Sequence, residues 1–96
     1  MLKRDDIIKF LREQRTELQT RFSVKRIGLF GSFESGDATE ASDIDLLVDF
    51  IESTFDNYMD LKFYLEDIFQ RPVDLVLSET LKPRIRPIVE QEVFYA

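Results

Sequence analysis

The sequence predicts a small α/β (α+β) fold, a mixed β-sheet with helices mainly on one face, and three observations carry that expectation. An N-terminal segment has helical hydrophobic period, a central acidic segment has period two, and a second helical segment lies between two strand-like runs.

Over residues 5–22 the apolar residues Ile7, Phe10, Leu11, Leu18 and Phe22 fall at helical spacing with charges on the other face, so one continuous helix is predicted. Val24–Phe30 reads as a short buried strand. Gly31-Ser32 closes it in a turn that opens toward a second helix or an extended loop, and Ser35, Gly36, Asp37, Thr39 and Ser42 are loop formers. Over residues 42–51 the period becomes two. Asp43, Asp45, Leu47 and Asp49 take one face, while Ile44, Leu46, Val48 and Phe50 take the apolar face that must be core. Residues 56–70 are predicted helical, Arg71-Pro72 ends that helix, and Val73–Leu77 is the next strand. Strand, helix and strand imply a right-handed crossover, with strand direction left open. The tail from Leu81 holds Pro83 and Pro87, a short helix starting at or after one of them, and the apolar end Val93-Phe94-Tyr95.

The helix over 56–70 has more apolar residues than one buried face requires. Tyr58, Leu61, Leu65, Ile68 and Phe69 form a core stripe, leaving Phe55, Met59 and Phe63 to be covered by the tail or by a partner.

At 96 residues the chain is expected to be one domain over 1–96, with little surface for a second lobe, so a large substrate would be held partly by another chain. Hydrophobic residues at 44% and charged residues at 33% are a globular balance. With no Cys and no His, disulfides, thiolate metal sites and imidazole bases are excluded, leaving carboxylates, hydroxyls, amines or a bound cation for any chemistry. A net charge of −6 argues against nucleic acid as the main partner and suits a divalent cation. No apolar run approaches the roughly 20 residues of a membrane span, and a cytoplasmic protein is expected.

The most specific feature is Gly31-Ser32, ten intervening residues, then Asp43-Ile44-Asp45. A glycine after a buried strand admits close approach of a ligand, and the Ser32 hydroxyl with neighbouring N–H groups suits phosphate oxygens. Asp43 and Asp45, at i and i+2 on a strand, point to one side and can reach one hard cation. Asp74, inside the apolar run Val73–Leu77, is the candidate third carboxylate, because a lone acid there is costly without compensation. Side by side, the three would hold two metals in the geometry of in-line displacement at phosphorus.

The stretch Ile27-Gly28-Leu29-Phe30-Gly31-Ser32 through Ser42-Asp43-Ile44-Asp45-Leu46-Leu47-Val48 resembles the signature of the minimal nucleotidyltransferases, within the DNA polymerase beta-like superfamily. The resemblance extends to Pro72-Val73-Asp74-Leu75-Val76 and to Leu81-Lys82-Pro83, so it covers nearly the whole chain. It implies that Gly31 and Ser32 hold the triphosphate of ATP, and that Asp43 and Asp45 bind two Mg²⁺. It further implies that Asp74 binds one Mg²⁺ and accepts the proton of the acceptor hydroxyl. The family is also similar to the antitoxin half of a toxin and antitoxin pair whose partner is an all-helical HEPN ribonuclease. There the enzyme moves AMP from ATP onto a tyrosine of the toxin, which implies a hetero-oligomer with such a partner, a homodimer being the other expectation. One departure stands out: many members carry an Arg shortly after the Gly-Ser pair, where this chain has Phe33, Glu34 and Ser35. Two rival readings are a module that inhibits its partner by contact alone, and nucleotidyl transfer to a small molecule.

Overall fold

The structure is a computed structural model, and residues 2–96 are described. Its elements are α1 (Arg4–Glu13), α2 (Arg15–Phe22), β1 (Val24–Phe30), α3 (Gly31–Ser35), β2 (Ile44–Phe50), α4 (Phe55–Phe69), β3 (Val73–Leu77), α5 (Arg86–Glu92) and β4 (Phe94–Tyr95). The strands form one sheet in the order β3-β2-β1-β4. The pairs β1–β2 and β1–β4 are antiparallel, while β2 and β3 are parallel. The sheet is therefore mixed, as the sequence predicts, and α4 supplies the crossover that a parallel pair requires.

Strand period decides which side of the sheet is dry. Ile27 and Leu29 of β1, Ile44, Leu46 and Val48 of β2, and Val73 and Leu75 of β3 all belong to one buried cluster. Ile7, Ile8 and Leu11 of α1, Leu18 and Phe22 of α2, and Leu61 and Leu65 of α4 close the same cluster from outside. The helices thus cover one face, and the odd-numbered acids of β2 are left on the other. A β-bulge between Val24 and Arg26 resets the period of β1, so that Val24 is buried while the consecutive Lys25 and Arg26 are both exposed.

Four expectations change. The predicted N-terminal helix is broken at Gln14, whose φ of −97° and ψ of 14° leave the helical region. No Gly or Pro marks the break, so spacing could not reveal it, and it lets Leu11 and Leu18 both reach 1% exposure against the same core. Residues 42 and 43 stay outside β2. Ile68, predicted to be core, is 43% exposed, while Phe55 at 76% and Phe63 at 58% are left uncovered by the tail and Met59 is half-buried. The apolar C-terminal end becomes a strand, with the Ala96 N–H donating to the Ile27 carbonyl at 3.0 Å.

Leu47 is fully buried although it lies on the face away from the helices, so that face is partly covered. Gly28, its neighbour across β1, shows what covers it: an added Cβ would meet Val93 Cγ1 at 2.4 Å, Tyr95 Cδ1 at 2.9 Å and the Phe94 carbonyl oxygen at 3.1 Å. The C-terminal segment pairs with β1 as β4, and its Val93 and Tyr95 side chains close over Gly28 where no side chain fits. Gly28→Ala should therefore unseat β4, costing about 1–3 kcal/mol as overpacking does. Thermal denaturation should show a midpoint lower by several degrees, and hydrogen exchange should show faster exchange at Ala96.

Candidate active site

Register brings the candidate residues together. Two anchors set the start of β3: the Val73 N–H donates to Glu66 Oε2 at 2.9 Å, and the Ile44 N–H donates to the Pro72 carbonyl at 3.0 Å. The Tyr58 hydroxyl of α4 donates to the Leu75 carbonyl at 2.6 Å and ties the helix to the strand. With the ladder so fixed, Asp45 stands beside Asp74 on β3 and beside Phe30 on β1. Because Val73 and Leu75 face the core, Asp74 must face the same open side as Asp45.

Phe30 leads into Gly31, whose φ of +72° lies in the left-handed region that favours glycine. A Cβ there would fall 2.1 Å from Asp45 Oδ2, so glycine is required twice at this position, by conformation and by space. Ser32 follows half-buried in the short helix α3, and its carbonyl accepts the Asp37 N–H at 3.0 Å and the Ser35 hydroxyl at 3.3 Å. Phe33, next along, is 2% exposed and anchors α3 in the core. Glu34 turns back toward α1, where Arg4 Nε lies 3.9 Å from its carboxylate and offsets its charge.

Asp45 is half-buried, while Asp43 and Asp74 are exposed. Burial, then the charge of Asp74, then that of Asp43 raise the Asp45 carboxyl above its ordinary value of 3.8, with Asp74 within hydrogen-bond reach of it. The cost argument made for Asp74 from sequence does not hold, because β3 is an edge strand and its acid faces water. What places Asp74 in the site is its register with Asp45. Among the described residues no three acidic side chains are gathered into a ready-made metal cage. The donor set still fits Mg²⁺, which takes hard oxygen ligands and is bound through one or two carboxylates plus substrate phosphates rather than by an all-protein cage.

Farther along the same open face a second acid, Asp49, is tied into the fold. It accepts from the Ser78 hydroxyl, pairs with Arg26 at 3.0 Å, and Arg26 in turn stacks on Tyr95 at 4.1 Å from the ring centroid. These groups satisfy one another, so the cluster is structural. The residue that sequence reasoning missed is Arg71, read there only as part of a helix stop. Its Nη1 donates to the carbonyls of Glu40 at 2.7 Å, Ser42 at 2.9 Å and Thr39 at 3.3 Å. No spacing rule links residues about 30 positions apart. A cleft of about 500 Å³ beside α3, lined by residues such as Lys3, Arg4, Phe33 and Ala38, includes none of the three aspartates. The acids sit on an open sheet face instead.

Fold and site together define an enzyme of nucleotidyl transfer. The chain belongs to the nucleotidyltransferase family: the family model for the nucleotidyltransferase domain matches residues 11–95. It is similar to the protein adenylyltransferase MntA of Thermococcus cleftensis, at 42% identity over 96 residues, covering 99% of this chain and 97% of that one. Among solved structures it is similar to one assigned as a minimal nucleotidyltransferase, with a TM-score of 0.81, 35% identity, and coverage of 97% of this chain and 95% of that one. A toxin-antitoxin structure with AMP-PNP follows at a TM-score of 0.69 and 25% identity, covering 98% of this chain and 72% of that one.

The raised Asp45 has a signed consequence. A carboxyl whose folded value lies above its unfolded one favours the fold most below the unfolded value, and that contribution is lost as pH rises through the folded value. Asp45→Asn should therefore raise the metal-free melting temperature at pH 7, with the gain shrinking toward zero below the ordinary value of 3.8. Added Mg²⁺ should stabilise the wild type more than the variant. A midpoint at pH 7 that is unchanged or lower would contradict this account of the site.

Proposed function

We propose that this enzyme transfers AMP from ATP to a tyrosine hydroxyl of a HEPN-type toxin and so acts as its antitoxin. The observation that carries the reading is the in-register pairing of Asp45 with Asp74, with Gly31 packed against Asp45. The adenylyltransferase relative and the toxin-antitoxin structure with AMP-PNP support the nucleotide and the partner.

In this reading Gly31 and Ser32 seat the triphosphate through backbone N–H groups and the Ser32 hydroxyl. Asp43, Asp45 and Asp74 are the candidate Mg²⁺ ligands. When bound, the metal neutralises phosphate charge and eases ionisation of the attacking hydroxyl. The tyrosine oxygen attacks the α-phosphorus of ATP, Asp74 accepts its proton, the bond between the α-phosphorus and its bridging oxygen breaks, and pyrophosphate leaves. Asp45 is held between Asp74 and Gly31, so its carboxylate has little freedom to swing away from the reacting phosphate.

Labelled ATP, Mg²⁺ and the partner test this directly. Asp74→Asn should lose about 10²–10⁴-fold in transfer, the usual worth of a positioned base, and Asp43→Asn and Asp45→Asn should fall to background while remaining folded. Full transfer by the Asp45 variant would remove these acids from the mechanism. Ser32→Ala should raise KM for ATP with kcat nearly unchanged, because one hydroxyl contact to phosphate is shared by ground and transition states.

One observation favours inhibition by contact: Phe55 and Phe63 are exposed on α4, an apolar stripe of the kind that anchors interfaces. Since Met59 is half-buried, the sound probe is Phe55→Glu with Phe63→Glu. For an enzyme, this variant with excess ATP and time still yields a partner that carries AMP on Tyr by mass spectrometry and stays silent after the antitoxin is removed. For a contact inhibitor, the variant releases active, unmodified partner, and substitutions at Asp43, Asp45 and Asp74 have no effect.

A further inference from the structure

Asp43 lies just outside the sheet. The β2–β3 ladder begins at Ile44 and Val73, so no strand pairing fixes the residue before it. The chain that delivers Asp43 is the connection from α3 to β2, which starts at Gly36 with φ of +86° and is held locally by a small turn. In that turn the Thr39 N–H donates to the Ser42 hydroxyl at 2.8 Å and the Ser42 N–H to the Thr39 carbonyl at 3.1 Å. Such a turn is self-contained and would not by itself say where the segment sits relative to β3.

Arg71 says where. It occupies the short link between α4 and β3, and a single nitrogen, Nη1, donates to three carbonyls of the segment, those of Thr39, Glu40 and Ser42. The last of these belongs to the residue immediately before Asp43, and on its other side Asp43 is followed by Ile44, whose N–H is held by the Pro72 carbonyl. Asp43 is thus suspended between two ties, both made to the Arg71-Pro72 dipeptide. The guanidinium carbon also lies 5.2 Å from the centroid of the buried Phe33 ring, so the same side chain braces α3, the helix that begins at Gly31-Ser32. Charge-assisted bonds to carbonyls are stronger than neutral ones, and here they span about 30 residues of sequence, joining the segment before Asp43 to the link between α4 and β3.

We propose that Arg71 is a positioning residue, which fixes the approach of Asp43 to Asp45 and Asp74 and sets the affinity of this acidic site for a divalent cation. The proposal rests on the assignment of those three aspartates as metal ligands made above. Partners that orient metal ligands are typically worth 10–100-fold in metal affinity or activity.

Two variants test it. Arg71→Met keeps an unbranched stem and removes the donors, while Arg71→Lys keeps an ammonium able to reach the carbonyls but loses the guanidinium over the Phe33 ring. In the chain without partner, Mn²⁺ alone serves as the probe, followed by electron paramagnetic resonance. Arg71→Met should bind it roughly 10-fold more weakly and Arg71→Lys should recover most of the loss. Hydrogen exchange should quicken over residues 39–43 in Arg71→Met while the amides of Leu46 and Leu75 stay protected. In the transfer assay the Mg²⁺ needed for half-maximal rate should rise by a similar factor, with kcat largely restored at saturating Mg²⁺. A purely structural role would lower the melting temperature and the amount of active enzyme at every Mg²⁺ concentration, without moving the metal requirement, and that result would overturn the proposal. So would an Arg71→Met chain that exchanges and binds Mn²⁺ as the wild type does. A wild type that transfers no AMP would instead defeat the proposed function, and the Mn²⁺ and exchange measurements would still decide the role of Arg71.

Discussion

The parallel pairing of β2 with β3 is the constraint on which the rest of the molecule depends. It places the half-buried Asp45 against the exposed Asp74, and among the described residues neither pairs with a cation, an arrangement that costs stability in the metal-free chain. A sequence selected for stability alone would set a hydrophobic or basic residue at one of the two positions. Both positions nevertheless carry acids, and the core on the other side of the sheet absorbs the penalty.

That core is arranged to leave one face available. Helices α1, α2 and α4 stack their apolar stripes on the even side of β2, so the odd side is free to carry Asp45 and Asp49. The C-terminal segment then covers only part of the open face, over Gly28 and Leu47, and the acids remain accessible beside it. Glycine serves two different ends here. Gly28 makes room for a chain segment, and Gly31 makes room for a carboxylate.

The network around Asp49 and the clamp of Arg71 show how a small acidic protein uses its cations. Arg26 neutralises Asp49 and stacks on Tyr95, tying β4 to the sheet, while Arg4 offsets Glu34 next to the Gly-Ser turn. Arg71 alone is aimed at carbonyls of the segment that carries Asp43. The chain has 13 basic residues against 19 acidic ones, so the cations committed to structure leave Asp45 and Asp74 without an ion pair among the described residues.

Much of this was legible in the sequence, because strands and helices leave periods that burial must respect. Apolar content and flanking breakers bound Val24–Phe30 and Val73–Leu77 correctly, and the odd-even alternation of β2 alone puts Asp45 on the open side. Gly31 could be singled out as a glycine directly after a buried strand, where the backbone can approach a ligand closely. What local pattern could not convey was anything settled by distant chain. The bend at Gln14, the exposure of Ile68 and the strand made by Phe94-Tyr95 each depend on which neighbour arrives to cover a surface. The apolar run around Asp74 does not bury it, since an edge strand leaves it in water, and Arg71 has no local pattern that separates it from a helix stop. The sequence by itself determined the alternation of faces and the residues able to hold a cation, because side-chain direction follows from backbone period. Only the tertiary structure decided that Asp45 meets Asp74 and that Arg71 reaches the chain before Asp43, because register and long-range hydrogen bonds are set by how α4 packs, a property of no single segment.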